Sequence, residues 1–185
     1  MTRTALALAL LAAGATSAPE RPPVEPVPEL DLARYAGTWY EIARLPFRYQ
    51  KDCAHSVVVH YALRDDGRVD VTNRCVRADG TVSEARGLAK RSGADRPASA
   101  LKVRFAPAFL SFLSAVWADY WVIDLAPDYS HAAVGGPDRK YLWILSRTPE
   151  MPEAQYREVV DRLARVYDVS GLVRTEQRVR HPGHP

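Results

Sequence analysis

Apolar and polar side chains alternate with a period of two through the middle of the chain, the pattern of half-buried β-strands. Val57, Val59, Tyr61 and Leu63 share one face; Ser56, His60 and Arg64 share the other. Asp65-Asp66-Gly67 then supplies a turn, with Gly where a positive φ is wanted. Val69, Val71 and Asn73 alternate with Arg68, Asp70, Thr72 and Arg74, which completes a hairpin with one apolar face. After a second turn at Ala78-Asp79-Gly80, Ala85, Gly87 and Ala89 alternate with Glu84, Arg86, Leu88 and Lys90. Leu101, Val103 and Phe105 alternate with Lys102 and Arg104. Residues 106–117, APAFLSFLSAVW, are apolar but carry neither strand nor helix periodicity. Tyr120–Leu125 reads as a strand, turned by Pro127-Asp128-Tyr129 and answered by His131–Gly135. Tyr141–Ser146 follows the turn at Gly136-Pro137-Asp138.

One segment changes period. Tyr156, Val159, Val160, Leu163, Val166 and Tyr167 recur at helical spacing, and charges fill the opposite face. Pro152, Glu150 and Glu153 suit the start of that helix. A last short strand, Leu172–Gln177, follows Gly171. Tight turns between successive strands favour antiparallel neighbours and disfavour the crossovers of a β-sandwich. The pattern predicts an all-β fold, an eight-stranded antiparallel up-and-down barrel with one C-terminal α-helix packed outside. A barrel of that size can hold one small ligand.

The ends differ from this middle. Met1–Leu11 carries one early positive charge, Arg3, and leads into an apolar run and then small residues, the pattern of a secretory signal. Residues 1–18 are read as that signal, with cleavage after Ala15 or Ala18. Pro19, Pro22, Pro23, Pro26 and Pro28 make residues 19–29 an extended tether. The folded domain is expected at 30–178, with a frayed tail at 179–185. The net charge of +3 comes from scattered residues, with no basic block interleaved with aromatics, so nucleic acid is not an expected partner. The expected location is periplasmic or secreted. No Cys follows the signal, which speaks against a lipid anchor.

Cys53 and Cys75 are the two cysteines. In an exported chain such a pair reads as a disulfide. Free thiols and a metal site are the alternatives, but no C-x-x-C or H-x-x-x-H accompanies the pair. Regular pairing across the first hairpin sets Cys75 opposite Val57 rather than Cys53. The bond therefore requires the chain at 52–56 to bend back.

Three short motifs fall at telling places in this pattern: Gly37-Thr38-Trp39 in the first strand, Asp128-Tyr129 in the turn after the sixth, and Ser146-Arg147 at the end of the last barrel strand. In that order the chain resembles the lipocalins, from Leu30 to Gln177. GTWYEIAR, the DDG turn and GPDRKYLWILSRTP are similar to the subgroup of the bacterial outer-membrane lipocalin, apolipoprotein D and the plant temperature-induced lipocalins. The resemblance implies that Trp39 plugs one end of the barrel and that Arg147 packs across it. Cation–π attraction suits a guanidinium on an indole. Bacterial members of the subgroup carry a lipid-attachment Cys after the signal, and this chain departs from them there.

Alternation also gives the lining. Val59 and Tyr61, Val71 and Asn73, Gly87, Val103 and Phe105, and Tyr141 and Trp143 are expected to face inward. In the sixth strand both faces are apolar. Tyr120 and Val122 are favoured inside because Asp119 then stays out, at the cost of turning Asp124 in. Small side chains at 85, 87 and 89 leave room. The lining suits a linear hydrophobe, which gains ~0.8 kcal/mol per buried CH₂. The resemblance implies a fatty acid or lysophospholipid, whose carboxylate or phosphate Arg44, Arg48 or Lys51 can meet at the mouth. No cofactor is expected. The alternatives are a lipid-directed enzyme, although no G-x-S-x-G or free Cys supplies a nucleophile, and a tetrapyrrole or haem binder, although His60 faces out. A monomer or weak dimer is expected, with transient membrane contact left open.

Overall fold

The structure is a computed structural model and describes residues 21–178. The signal and the tail at 179–185 lie outside the described residues. Eight strands run β1 (Gly37–Arg44), β2 (Cys53–Leu63), β3 (Val69–Arg77), β4 (Val82–Arg91), β5 (Ala100–Arg104), β6 (Ala118–Leu125), β7 (His131–Gly135) and β8 (Leu142–Ser146). Each pairs antiparallel with the next, and β1 pairs with both β8 and β2, so the sheet closes on itself. This is the expected barrel.

Two helices serve it from outside the wall. The short α1 (Leu32–Tyr35) is capped by Asp31, whose carboxylate accepts from the Ala33 and Arg34 amides; it lies across the end where β1 begins. The long α2 (Glu153–Leu163) buries Val159 and Leu163 against the outward faces of β1, β6, β7 and β8, on Ile42, Trp121, Ala133 and Ile144. Tyr167, past its C-terminus, donates to the Gly136 carbonyl and accepts from the Gly136 amide, both at 2.8 Å. A Cβ at Gly135 would lie 2.1 Å from that hydroxyl, so the site needs glycine.

β1 and β2 pair only through Gly37–Tyr40, and at the other end they splay apart. The last strand, β9 (Val173–Arg174), pairs with β1 there. The chain continues into the gap: Glu176 accepts from the Ser56 amide at 2.8 Å, and Gln177 donates to the carbonyls of Glu41 and Val57, each at 2.8 Å. The C-terminal segment thus bridges the gap between β1 and β2.

The Pro-rich segment is extended, with no helix or strand from residue 21 to Leu30, but its described part is not a free tether. Val24 is buried against the α2 side, and Val27 donates its amide to the Val122 carbonyl at 2.8 Å and accepts from the Ser99 hydroxyl. Arg139 donates to the carbonyls of Arg21 and Pro22. A proline-rich strand has few amides to satisfy, so a handful of side-chain donors can fasten it to the wall.

Cys53 and Cys75 form a disulfide with their Cα atoms 5.6 Å apart. The required bend is there. From Val58 to Leu63 the register with β3 is regular, but it shifts between Val58 and His55 and again between His55 and Cys53. Ser56 sits in this irregular stretch with φ at +53°, so Cys53 stands opposite Arg77 and diagonal to Cys75.

Candidate ligand-binding site

The barrel has a closed end and an open end. At the closed end Trp39 is 0% exposed, and the Arg147 guanidinium lies 3.9 Å above its ring. Arg147 also donates to the carbonyls of Thr38 (3.0 Å), Arg34 (2.6 Å) and Tyr35 (3.2 Å), which ties α1 to β1. The Trp39 indole donates to the Tyr35 carbonyl at 2.8 Å. Gly37 has φ at +98°, and a Cβ there would stand 3.2 Å from an Arg147 nitrogen. The glycine of G-x-W therefore makes room for the arginine. Tyr129, at φ +63°, accepts from the Asp31 amide and carries the Arg34 guanidinium 4.0 Å over its ring. Asp128 fixes that turn by accepting from the Ser130 amide.

Just inside the plug, three tyrosines meet. The Tyr120 hydroxyl lies 3.1 Å from that of Tyr35 and in hydrogen-bond contact with that of Tyr61. Burial pushes all three phenols above their ordinary range. Together with Leu32, Val69, Val71, Ala89 and Leu101 they enclose a void of about 10 Å³, room for about one water. The floor is thus packed, not hollow.

Val59, Tyr61, Val71, Val103, Tyr120, Val122 and Trp143 belong to the interior cluster. Asn73 shares this face, opposite Val59 and Ala85, and Gly87 shares it opposite Val71. In β6 the register shifts between Val122 and Asp124. That irregularity lets Tyr120 and Val122 face in while Asp124 turns out, where Arg162 of α2 donates to it at 2.7 and 3.1 Å. Strict alternation had no way to remove that cost.

The reading of Gly87 needs correction. Its missing side chain does not leave free space: a Cβ would lie 2.8 Å from the Phe105 ring and 2.7 Å from the Arg104 carbonyl. Phe105 itself is not deep in the barrel. It follows β5, leans over Gly87 at the mouth and is 46% exposed. Tyr141 is also at the mouth, where Phe47 sits edge-on to both Tyr141 and Trp143, with ring centres 5.0 and 5.4 Å away.

The larger open space adjoins these rings. A cleft of about 410 Å³ is lined by Arg44, Pro46, Phe47, Arg48, Lys51 and Val173. Three of its six lining residues are cations. Behind it lies a buried carboxyl that the sequence reading passed over. Glu41, 3% exposed, stands opposite the interior residue Leu145. It accepts from Gln50 at 2.7 Å and from Thr175, and lies 3.5 Å from Arg44. Gln50 in turn accepts from the Trp143 indole at 2.9 Å. Burial raises the Glu41 carboxyl above its ordinary value, opposed by these three partners. Glu41 shares parity with Trp39, so alternation along β1 was a signal able to find it. Phe47 and Gln50 lie on a loop, where no periodicity exists to read.

The Lipocalin-like domain family matches residues 30–177. The chain is a lipocalin. It is 39% identical over 160 residues to temperature-induced lipocalin-1 of Arabidopsis thaliana, covering 85% of each chain. It is 40% identical over 153 residues to the outer membrane lipoprotein Blc of Escherichia coli K12, covering 82% of this chain and 81% of that one. Apolipoprotein D of Rattus norvegicus is 35% identical over 139 residues, 70% of this chain and 68% of its own. These are the three branches that the motifs had pointed to. Lipocalins bind small hydrophobic ligands, and this lipocalin presents its apolar, aromatic lining toward the open end.

Proposed function

We propose that this lipocalin binds and carries or stores a fatty acid or lysophospholipid, with the acyl chain in the barrel and the anionic head at the mouth, in the cell envelope or outside the cell. The observation that carries the reading is the cleft in which Arg44, Arg48 and Lys51 stand beside Phe47, Tyr141 and Trp143. Cations next to an apolar, aromatic opening fit a molecule with one charged end and one hydrocarbon end. Lining Val and Ala side chains accept the chain without a directional partner, and each buried CH₂ adds ~0.8 kcal/mol. The small void at the floor sets the depth: the tail ends above Tyr61 and Tyr120, or moves them.

The disulfide supports an oxidising compartment. Carrier is favoured over catalyst by the state of the candidate nucleophiles. Cys53 is bonded to Cys75. Ser56 does contact His55, with its Oγ 2.9 Å from Nδ1, but the same hydroxyl accepts from the Arg178 amide at 3.2 Å and fastens the C-terminal segment. For a haem or tetrapyrrole, His60 faces away, with Nδ1 3.1 Å from the Thr38 hydroxyl on the outer surface.

Native mass spectrometry of the exported protein, followed by organic extraction, tests the reading. One acyl lipid per chain is expected, and its binding should quench or shift Trp143 fluorescence. A bound tetrapyrrole, or turnover of a lipid ester, overturns it.

A further inference from the structure

Three hydroxyls stand at a floor that is otherwise apolar. Tyr35, Tyr61 and Tyr120 come from three separate elements, α1, β2 and β6. β2 and β6 are four places apart in the closed ring of eight strands, so Tyr61 and Tyr120 reach toward each other from opposite walls. Tyr35 stacks on Tyr61 with ring centres 5.4 Å apart and sits 5.0 Å from the Trp39 ring, so the plug supports the cluster. Tyr61 and Tyr120 meet edge to face at 6.0 Å. Each ring is held in place by another, and the hydroxyls converge on one spot.

The hydrogen bonds at that spot do not come out even. Three phenols carry three protons, and the two contacts among them, Tyr35 with Tyr120 and Tyr61 with Tyr120, use two. Among the described residues these hydroxyls meet no partner outside the cluster. The rest of the void is lined by Leu32, Ala36, Val69, Val71, Ala89 and Leu101, all apolar. One phenol proton is left facing an apolar enclosure, and a buried donor without an acceptor costs stability. Phenylalanine would fill nearly the same volume at each position without that cost. Burial raises all three phenols above their ordinary range, so the spare donor is present throughout the neutral pH range.

The void has the size of one such acceptor. At about 10 Å³ it takes a single oxygen, from a water or from the tip of a ligand, and no more. The packed rings fix where that oxygen must sit.

We propose that the tyrosine cluster is a polar anchor for the far end of the ligand, where a hydroxyl or carbonyl oxygen on the terminus opposite the anionic head accepts the spare phenol proton. The inference rests on reading the barrel as the carrier of a long-chain anionic lipid. It makes that lipid polar at both ends and apolar between, an acyl chain oxygenated at its tip. The cations at the mouth then select the head, and the phenols at the floor select the tail. A tail that ends in a methyl group leaves the spare proton to a water.

Palmitate and its ω-hydroxy derivative test it, compared by isothermal titration calorimetry on wild type and on Y35F/Y61F/Y120F. Wild type should bind the ω-hydroxy acid at least as tightly as palmitate. The triple variant should bind it about tenfold more weakly than palmitate, because the hydroxyl is then buried without a partner. Palmitate itself should bind the two proteins alike. The ω-hydroxy acid should also change the tyrosine ultraviolet absorption of wild type, and should do so less in the variant. Y61F alone, which removes one hydroxyl, should move the ratio of the two affinities in the same direction as the triple variant. A ratio equal in wild type and the variants, or a wild type that already rejects the ω-hydroxy acid tenfold, overturns the anchor and leaves the carrier reading standing. Failure of wild type to bind either acid overturns both.

Discussion

The two ends of this barrel are built on opposite principles. At the closed end one arginine, Arg147, stacks on Trp39 and donates to three backbone carbonyls, while Asp31, Arg34 and Tyr129 lock the crossing helix in place. Almost every polar group there has a partner, and the enclosed void is about 10 Å³. At the open end the strands splay, register shifts accumulate, and aromatic side chains stand in solvent. Tight packing is concentrated at the closed end, and loose packing is kept at the end proposed to admit the ligand. Substitutions should divide along the same line, with stability losses at the closed end and binding losses at the open end.

The largest effect belongs to the plug. Trp39→Ala should destabilise the fold by ~3–5 kcal/mol, the range for large buried aromatics. Arg147→Ala should cost less, and a double-mutant cycle by urea unfolding should show coupling between the two; simple additivity would separate them. The disulfide comes next. It joins residues 22 apart, and removing it with Cys53→Ser/Cys75→Ser should cost about 3 kcal/mol. Because it ties β2 to β3 near the mouth, its loss should also weaken ligand binding, whereas Arg147→Ala should leave affinity unchanged at temperatures where it is folded. If the disulfide variant binds as wild type does, the mouth does not depend on the bent start of β2.

This division shows why some features could be read from the chain and others could not. The barrel, its helix and most of the lining follow from local period and turn residues, because a strand half-buried in a wall must alternate. The position of Asp124 depended on a register shift in β6, and the disulfide geometry on two in β2. Such shifts are set by neighbouring strands and leave no mark in a single strand's pattern. Phe105 and Gly87 show the same limit in another form. Both were placed on the correct face, but filling is a matter of three-dimensional volume, and the small residue is matched by a large neighbour. The proline segment looked like a tether because its composition forbids regular structure, yet forbidding a helix does not forbid packing.

The Gly87 contact gives a sharper test of the open end. Gly87→Leu must displace the Phe105 ring and strain the Arg104 carbonyl, so it should cost ~1–3 kcal/mol as an overpacked site, and it should reduce binding. Pairing it with Phe105→Ala vacates the space the new side chain needs. That double variant should recover part of both losses, whereas Leu88→Ala, on the outer face, should leave binding alone. Loss of binding in Leu88→Ala with none in Gly87→Leu would mean that the two faces of β4 are reversed.

The smallest effect is expected at Glu41, the buried carboxyl that links the loop at 45–52, the C-terminal segment and, through Gln50, Trp143. Burial raises its folded-state pKa above the ordinary 4.5. A carboxyl shifted upward binds its proton more tightly in the native state than in the unfolded chain, so its contribution is fully present below the unfolded value and is lost as pH rises through the folded one. Above the folded-state pKa the native state carries a carboxylate that it would rather hold protonated. Glu41→Gln keeps an acceptor for Gln50 and offers Thr175 a donor, without the charge. The Tm difference, variant minus wild type, should be larger at neutral than at acid pH and should shrink as pH falls through 4.5, below which wild type is protonated in both states. Comparing the difference between two pH values cancels the constant effect of the substitution itself and leaves the balance between burial and the Arg44 ion pair at 3.5 Å, both of which act only on the charged carboxyl. If the difference stays flat or grows as pH falls, Arg44 stabilises the carboxylate more than burial penalises it, and the open end is tied down by an ion pair rather than loosened by a buried charge.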